Sequence, residues 1–387
     1  MFSAASSIFR RRPNPAVAAP QASSYEVPFY TNAAYYPNWR IYQKQPPSSL
    51  RLGFISHVFY AFAWVKEDGT VYLSDEWADT QMPVDGTEGC LRAFVQLKQQ
   101  YSKMKVILSV GGGGKGSENF AAVAHNRSRM DTFVRTAKGL VDQFGLDGID
   151  GIAPRLLVTL KWKADDLYRT VDWEHPADER QGKDYIRLLA RLREVLPAPR
   201  YVLASCLPAG QWALRHIDLA AAQKYLDMLN LMAYDFAGPW EPETGHQAQL
   251  YGSASALSGQ SAISYVLAQG VNPQKIILGV PVYGRSFLGS NGPGQRYTGC
   301  GGEDGVFDYR ELPCQGAKEF HDKQAGAAYC IGDAGGFVTY DTPATVQQKA
   351  EFVTTSKLGG LFYWHICSDA RGPRSLIETG YNTLHEM

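Results

Sequence analysis

The chemistry this chain could do begins with its acids. Asp150 closes the stretch FGLDGID (144–150), and Asp172 and Glu174 alternate with Val171 and Trp173 in VDWEHP (171–176). Between the two stretches stand twenty residues, GIAPRLLVTLKWKADDLYRT, running from Gly151 to Thr170. Without them the chain reads FGLDGIDVDWEHP, a strand that ends in alternating carboxyls. Side chains of an extended strand alternate faces with period two, so Asp150, Asp172 and Glu174 of the rejoined strand would share one face and Trp173 would take the other. Three carboxyls at that spacing repel one another as anions. At least one then keeps its proton well above its free pKa, as a general acid near neutral pH must. Glu174, the outermost, is the expected donor. A run of acids is otherwise a solvated loop, but here Leu146, Ile149, Val171 and Trp173 interleave them with apolar side chains.

Something rigid has to hold such acids. Eight short β-rich runs recur along the chain, at 33–36, 57–63, 105–110, the interrupted 146–173, 202–206, 228–233, 275–280 and 360–363. Segments of helical period lie between them, among them 89–101, 127–143 and 183–195. Eight strand and helix pairs predict an α/β protein, a (β/α)8 TIM barrel, whose chemistry sits at the C-terminal ends of its strands. The residues expected there are Tyr35 and Trp39 in YYPNW, Phe62 in YAFAW, Ser109, Gly111 and Gly112 in LSVGGGG, Met232, Tyr234, Asp235 and Trp240 in LMAYDFAGPW, Tyr283 and Arg285 in PVYGRSF, and Trp364 in LFYWH. Aromatic faces at a barrel mouth suit sugar rings, although any one of them is more often core packing. The glycine run lacks the GK[ST] ending of a phosphate cradle.

With these residues in view, DGID plus VDWE resembles the split DGxDxDWE signature of the family 18 chitinases. SVGG is similar to that family's SxGG, and MAYD to its MxYD. The resemblance extends along most of the chain from Tyr30, and around YPNW, MAYDF and VPVYGRSF it is closest to the filamentous-fungal type. It implies retaining hydrolysis of β-1,4-linked N-acetylglucosamine assisted by the substrate's own acetamide, an exception to the two-carboxylate scheme. Glu174 would protonate the leaving oxygen and then activate water. Asp172 would hold the acetamide, Tyr234 would hydrogen-bond its carbonyl, and Asp150 would share a proton with Asp172. Trp364 would floor the reacting sugar. No metal and no organic cofactor is implied, and the expected partner is chitin or chitooligosaccharide, met by a monomer. One departure stands out, since the family commonly has Trp after SxGG and this chain has Gly113. A wall of the sugar groove is therefore in question. The Gly- and Tyr-rich stretch 287–341 resembles the small α+β insertion domain that many family members carry between strands 7 and 8.

Composition agrees with a neutral partner. Lys plus Arg number 38 and Asp plus Glu 38, so no overall field favours nucleic acid or an anionic membrane. The 387 residues suffice for one barrel-sized domain, 30–387, with an elaboration. Six cysteines form no CxxC pair, and the cluster Cys300, Cys314 and Cys330 leaves one disulfide open. Residues 1–29 read as a disordered or targeting leader. Its arginines follow a short apolar stretch, the order of a transit peptide rather than of a secretory signal, which leaves the compartment open between cytoplasmic and, by the resemblance, extracellular.

The twenty-residue insert at 151–170 is the anomaly. A closed barrel cannot admit an excursion in mid-strand without breaking ladder bonds on both sides. Either the insert loops out and the halves rejoin, or LYRTVDWE takes over as the strand and FGLDGID is displaced, with Thr170 in the innermost carboxylate's place. The second outcome predicts a loss of at least ~10² in rate, the scale of general acid and base effects. The insert is apolar and aromatic where tolerated insertions are polar, and it reads as translated intron. Gly151 can supply the 5′ GT and the Thr170–Val171 codons the 3′ AG. Two other outcomes stay open: a chitooligosaccharide-binding, lectin-like protein without turnover, and an endo-β-N-acetylglucosaminidase acting on N-glycans with the same acids.

Overall fold

The computed structural model describes residues 30–113, 116–151, 176–253 and 256–385. The expected leader, most of the insert, and Thr170, Asp172 and Glu174 lie outside the described residues. Eight parallel strands close on themselves: β1 (Thr31–Pro37), β2 (His57–Val65), β3 (Lys105–Val110), β4 (Gly148–Gly151), β5 (Val202–Pro208), β6 (Met228–Met232), β7 (Ile276–Pro281) and β8 (Gly360–Trp364). Each pairs with the next, and β8 returns to β1. The fold is the expected (β/α)8 barrel.

Its strands are apolar on both faces, because one face fills the barrel and the other meets the helices. Ala33 and Tyr35 of β1, Phe59 and Ala61 of β2, and Met228 of β6 pack inside the barrel. Their neighbours Ala34, Tyr36, Val58, Tyr60 and Leu229 pack outward under the helices. This period of two aims Tyr35, Ser109, Asp150 and Trp364 inward near the C-terminal ends. The helices end where their chemistry says they should. The one at Arg127–Phe144 is capped by the Asn126 side chain, which accepts from the Arg129 amide, and it stops at Gly145 with φ +67°. The helix Glu179–Val195 is capped by Asp178, which accepts from the Gln181 amide.

Strand β4 answers the question the insert raised. Ile107 and Ser109 of β3 stand opposite Gly148 and Asp150, and Asp150 stands opposite Ala204 of β5. FGLDGID therefore is not displaced. Asp150 itself sits in the fourth strand of the barrel.

A second, antiparallel sheet of five strands lies between β7 and β8 in the chain, built from Tyr283–Phe287, Val306–Asp308, Lys318–Asp322, Ala327–Gly332 and Gly336–Tyr340. It begins four residues earlier than the sequence pattern suggests. Tyr283 and Arg285, expected at the end of the seventh strand, belong to this sheet, since β7 stops at Pro281 and Tyr283 pairs antiparallel with Asp308. The sheet is fastened to the barrel by Arg40 and Asp308, 2.8 Å apart, and by the fully buried pair Lys349 and Asp341. All six cysteines are free thiols. No helix among the described residues is long and apolar enough to cross a membrane.

Candidate active site

At the floor of the barrel mouth Asp150 is completely buried. Its Oδ2 accepts hydrogen bonds from the Tyr35 hydroxyl at 2.7 Å and the Ser109 hydroxyl at 2.8 Å. On its other side the Asn230 amide donates to Oδ1 at 3.5 Å. All four residues come from different strands, β4, β1, β3 and β6, and only barrel closure brings them together. Burial raises the Asp150 pKa from 3.8 to about 6, and the three donors pull the other way without cancelling it. Among the described residues no cation meets it, so near neutral pH this carboxyl can take up or release a proton. Burial, with the nearby Asp150, raises the Tyr35 hydroxyl well above its ordinary range, so Tyr35 stays a donor.

Above this floor opens a cavity of about 650 Å³, large enough for several sugar rings. Trp364 and Phe62 stack at one side of it, ring centres 5.7 Å apart and 22° from parallel. Trp39 leans over both at 6.2 and 6.5 Å, and Tyr35 lies 5.3 Å from Trp364. Met232, Tyr234, Asp235, Trp240 and Tyr283 line the opposite side. Tyr234 meets Tyr283 edge to face at 6.3 Å.

Two expected contact residues stand behind the wall rather than in it. Arg285 is 4 % exposed, donates to the Asp235 carboxylate at 2.8 Å, and lies 4.6 Å from the centre of the Trp240 ring. It fixes two lining residues and does not itself line the cavity, its Nε donating to Asp235 and its guanidinium carbon lying over the ring. Gly111 is likewise covered, its amide donating to Ala63 O at 2.8 Å. Gly112 does line the cavity. With φ at +89°, it leaves room that a Cβ would deny, since one there would stand 2.8 Å from the Phe62 ring.

With this geometry in hand, the comparisons decide the family. Residues 31–369 match the family profile "Glycosyl hydrolases family 18". The chain belongs to glycosyl hydrolase family 18. Endochitinase 1 of Metarhizium robertsii is 34 % identical over 382 residues, 92 % of this chain and 85 % of that one. Among solved structures, the family 18 chitinase of Cycas revoluta in complex with (GlcNAc)3 is 26 % identical with a TM-score of 0.75, covering 91 % of this chain and 98 % of that chain. The Ostrinia furnacalis Group IV chitinase in complex with allosamidin, 24 % identical with a TM-score of 0.79, covers 92 % of this chain and 98 % of its own. That last likeness speaks for the fold.

Family membership does not explain every lining residue. Trp64, Ser74, Asp75, Cys206, Trp212 and Glu241 also face the cavity, and the sequence reading passed over them. So did it pass over Asn230, whose Oδ1 has no partner among the described residues. A signal for Asn230 existed, since it stands two and four residues before Met232 and Tyr234. Among the described residues no group of three or more His, Cys, Asp or Glu is placed to hold a metal ion.

Proposed function

We propose that this chain is a chitinase, hydrolysing β-1,4-linked N-acetylglucosamine with retention and with help from the substrate's acetamide. The observation that carries the reading is Asp150, buried at the floor of an aromatic cavity, held by Tyr35 and Ser109, and poised by burial to exchange a proton near pH 6. In this reading Asp172 takes a proton from Asp150 as it turns to grip the acetamide. Glu174 protonates the leaving oxygen and afterwards draws a proton from water. Tyr234, on the cavity wall, donates to the acetamide carbonyl. Trp364 and Phe62 carry the reacting sugar on their faces, and Asp235, braced by Arg285 and Tyr283, hydrogen-bonds from the opposite wall. The second sheet, which contributes Tyr283, acts as the deepening side wall that the family's insertion domain supplies. The filamentous-fungal type is supported by the 34 % identity to the Metarhizium robertsii protein.

The twenty residues 151–170 separate Asp150 from Asp172 and Glu174 in the chain, and we read them as retained intron that weakens turnover. A sugar-binding protein without turnover is the second reading, and this separation is what favours it. Release of fluorophore from a chitobioside, measured for the full chain and for a form lacking 151–170, tests all of this. The expected result is faster cleavage by the shortened form; the ~10² loss expected of a displaced FGLDGID does not apply, since Asp150 keeps its place in β4. Equal rates would remove the obstruction argument, and silence from both forms would remove the chitinase reading. Sequencing mature transcripts checks the intron: if every message keeps these codons, it is coding sequence.

A further inference from the structure

The loop after β3 turns a bare glycine to the cavity wall. Gly113 is exposed, lines the cavity and offers it no side chain. The neighbouring strand fills the space from the other direction. On β2, Phe62 and Trp64 are alternate residues and both face the cavity. Phe62 lies against Gly112. Trp64 lies against Gly116, where an added Cβ would stand 2.9 Å from the indole Cδ1. The indole is half-buried and braced edge to face by Tyr72, ring centres 6.2 Å apart at 84°. Tyr72 is itself held by a short strand, Val71–Leu73, that pairs antiparallel with the end of β2. The next two residues of that strand's exit, Ser74 and Asp75, also line the cavity and put polar groups beside the ring. A braced, partly exposed indole next to hydrogen-bonding groups is the arrangement that receives a pyranose ring.

We propose that Trp64 is the sugar-stacking wall of this groove, taking from β2 the role that a side chain at position 113 cannot play. It is a specificity-determining residue that grips a ring of the bound oligosaccharide other than the one over Trp364. The inference rests on the chitinase reading and names the residue that sets its preference for chain length. Packing alone would explain a buried tryptophan, but it does not explain one left half-open toward the cavity beside the bare Gly113.

The test is calorimetric binding of N-acetylglucosamine oligomers of increasing length to the full chain carrying Glu174→Gln, with Trp64 intact, Trp64→Ala, Trp64→Phe, and Trp64→Ala combined with Gly113→Trp. The Trp64→Ala change is expected to weaken binding about tenfold from one chain length upward and to leave shorter oligomers unchanged. Trp64→Phe should recover most of that loss, and Gly113→Trp part of it. A loss shared equally by all lengths, or no loss at any length, overturns the role of Trp64. Absence of binding by the Glu174→Gln chain with Trp64 intact overturns the sugar-groove reading, and the inference with it. Thermal midpoints of the four proteins identify a variant that fails to fold. In that case Trp64→Phe carries the test, with a smaller length-dependent loss expected and a uniform one overturning.

Discussion

Asp150, in β4, and Asp235, just beyond β6, line the same cavity, yet their surroundings give them opposite work. Among the described residues Asp150 is met by neutral donors, Tyr35, Ser109 and Asn230, so burial dominates and its pKa climbs to about 6. Asp235 is met by a guanidinium. Burial alone would lower the Arg285 pKa, but Asp235 beside it outweighs burial and holds the guanidinium charged. One carboxyl is a proton store, and the other is half of a fixed ion pair. The partner, rather than the residue type, decides whether an acid of the cavity stores a proton or is held in an ion pair.

The most severe way to break this contrast is to take away the proton store. Asp150→Asn is expected to lower kcat by at least ~10² on a fluorogenic chitobioside while making the protein more stable at pH 7. The sign follows from the raised pKa. Between 3.8 and about 6 the folded chain holds a proton that the unfolded chain has released. The stability this gives is therefore complete below pH 3.8 and is lost as pH rises through 6. Above that the buried carboxylate is a cost, on the order of 2 to 3 kcal/mol, which Asn removes. Thermal melts at pH 3.5 and pH 7 should show the gain only at pH 7; a gain at both would mean that packing, and not charge, is responsible. The same substitution at the other acid should do the reverse. Asp235→Asn leaves Arg285 buried without its anion and should destabilise by about 3 kcal/mol in urea unfolding. If Asp235→Asn is neutral, the ion pair is not what holds Trp240 and Tyr283 in place.

How much of this contrast could be read from the residues is uneven. The eight strands were legible because β-rich runs and helical segments alternate, and Tyr35, Ser109 and Asp150 because each stands at a strand end within a distinctive local pattern. The placement of β4 was not, since the insert allowed two registers, and only pairing to β3 and β5 selects one. Tyr283 and Arg285 were assigned to the wrong sheet because PVYGRSF reads as the end of the seventh strand, whereas the chain changes sheets at Val282. Arg285 looked like a ligand-facing cation. Its true partner, fifty residues away in sequence, is a product of folding. Asn230 and Trp64 escaped notice for a related reason, since an amide or an indole inside a strand carries no chemical flag until its neighbours from other strands are in view.

Those neighbours also rank the finest test of the proton store. Each donor to Asp150 favours the ionised form, in the order Tyr35, Ser109, Asn230, which follows their distances of 2.7, 2.8 and 3.5 Å. Removing them singly should raise the apparent pKa of the acidic limb of the pH–rate profile in that same order. Tyr35→Phe should shift it by about one unit, because a hydrogen bond to a charged group is worth about 1.5 kcal/mol and one unit about 1.4 kcal/mol. Ser109→Ala should follow closely. Asn230→Ala should move it least, because a donor at 3.5 Å contributes weakly. Asn230 is then a positioning residue, and its signature is a small upward shift of the limb with the plateau nearly kept. A plateau that falls while the limb stays fixed would assign it to packing instead, and the pKa of Asp150 would then be set by burial against two hydroxyls alone.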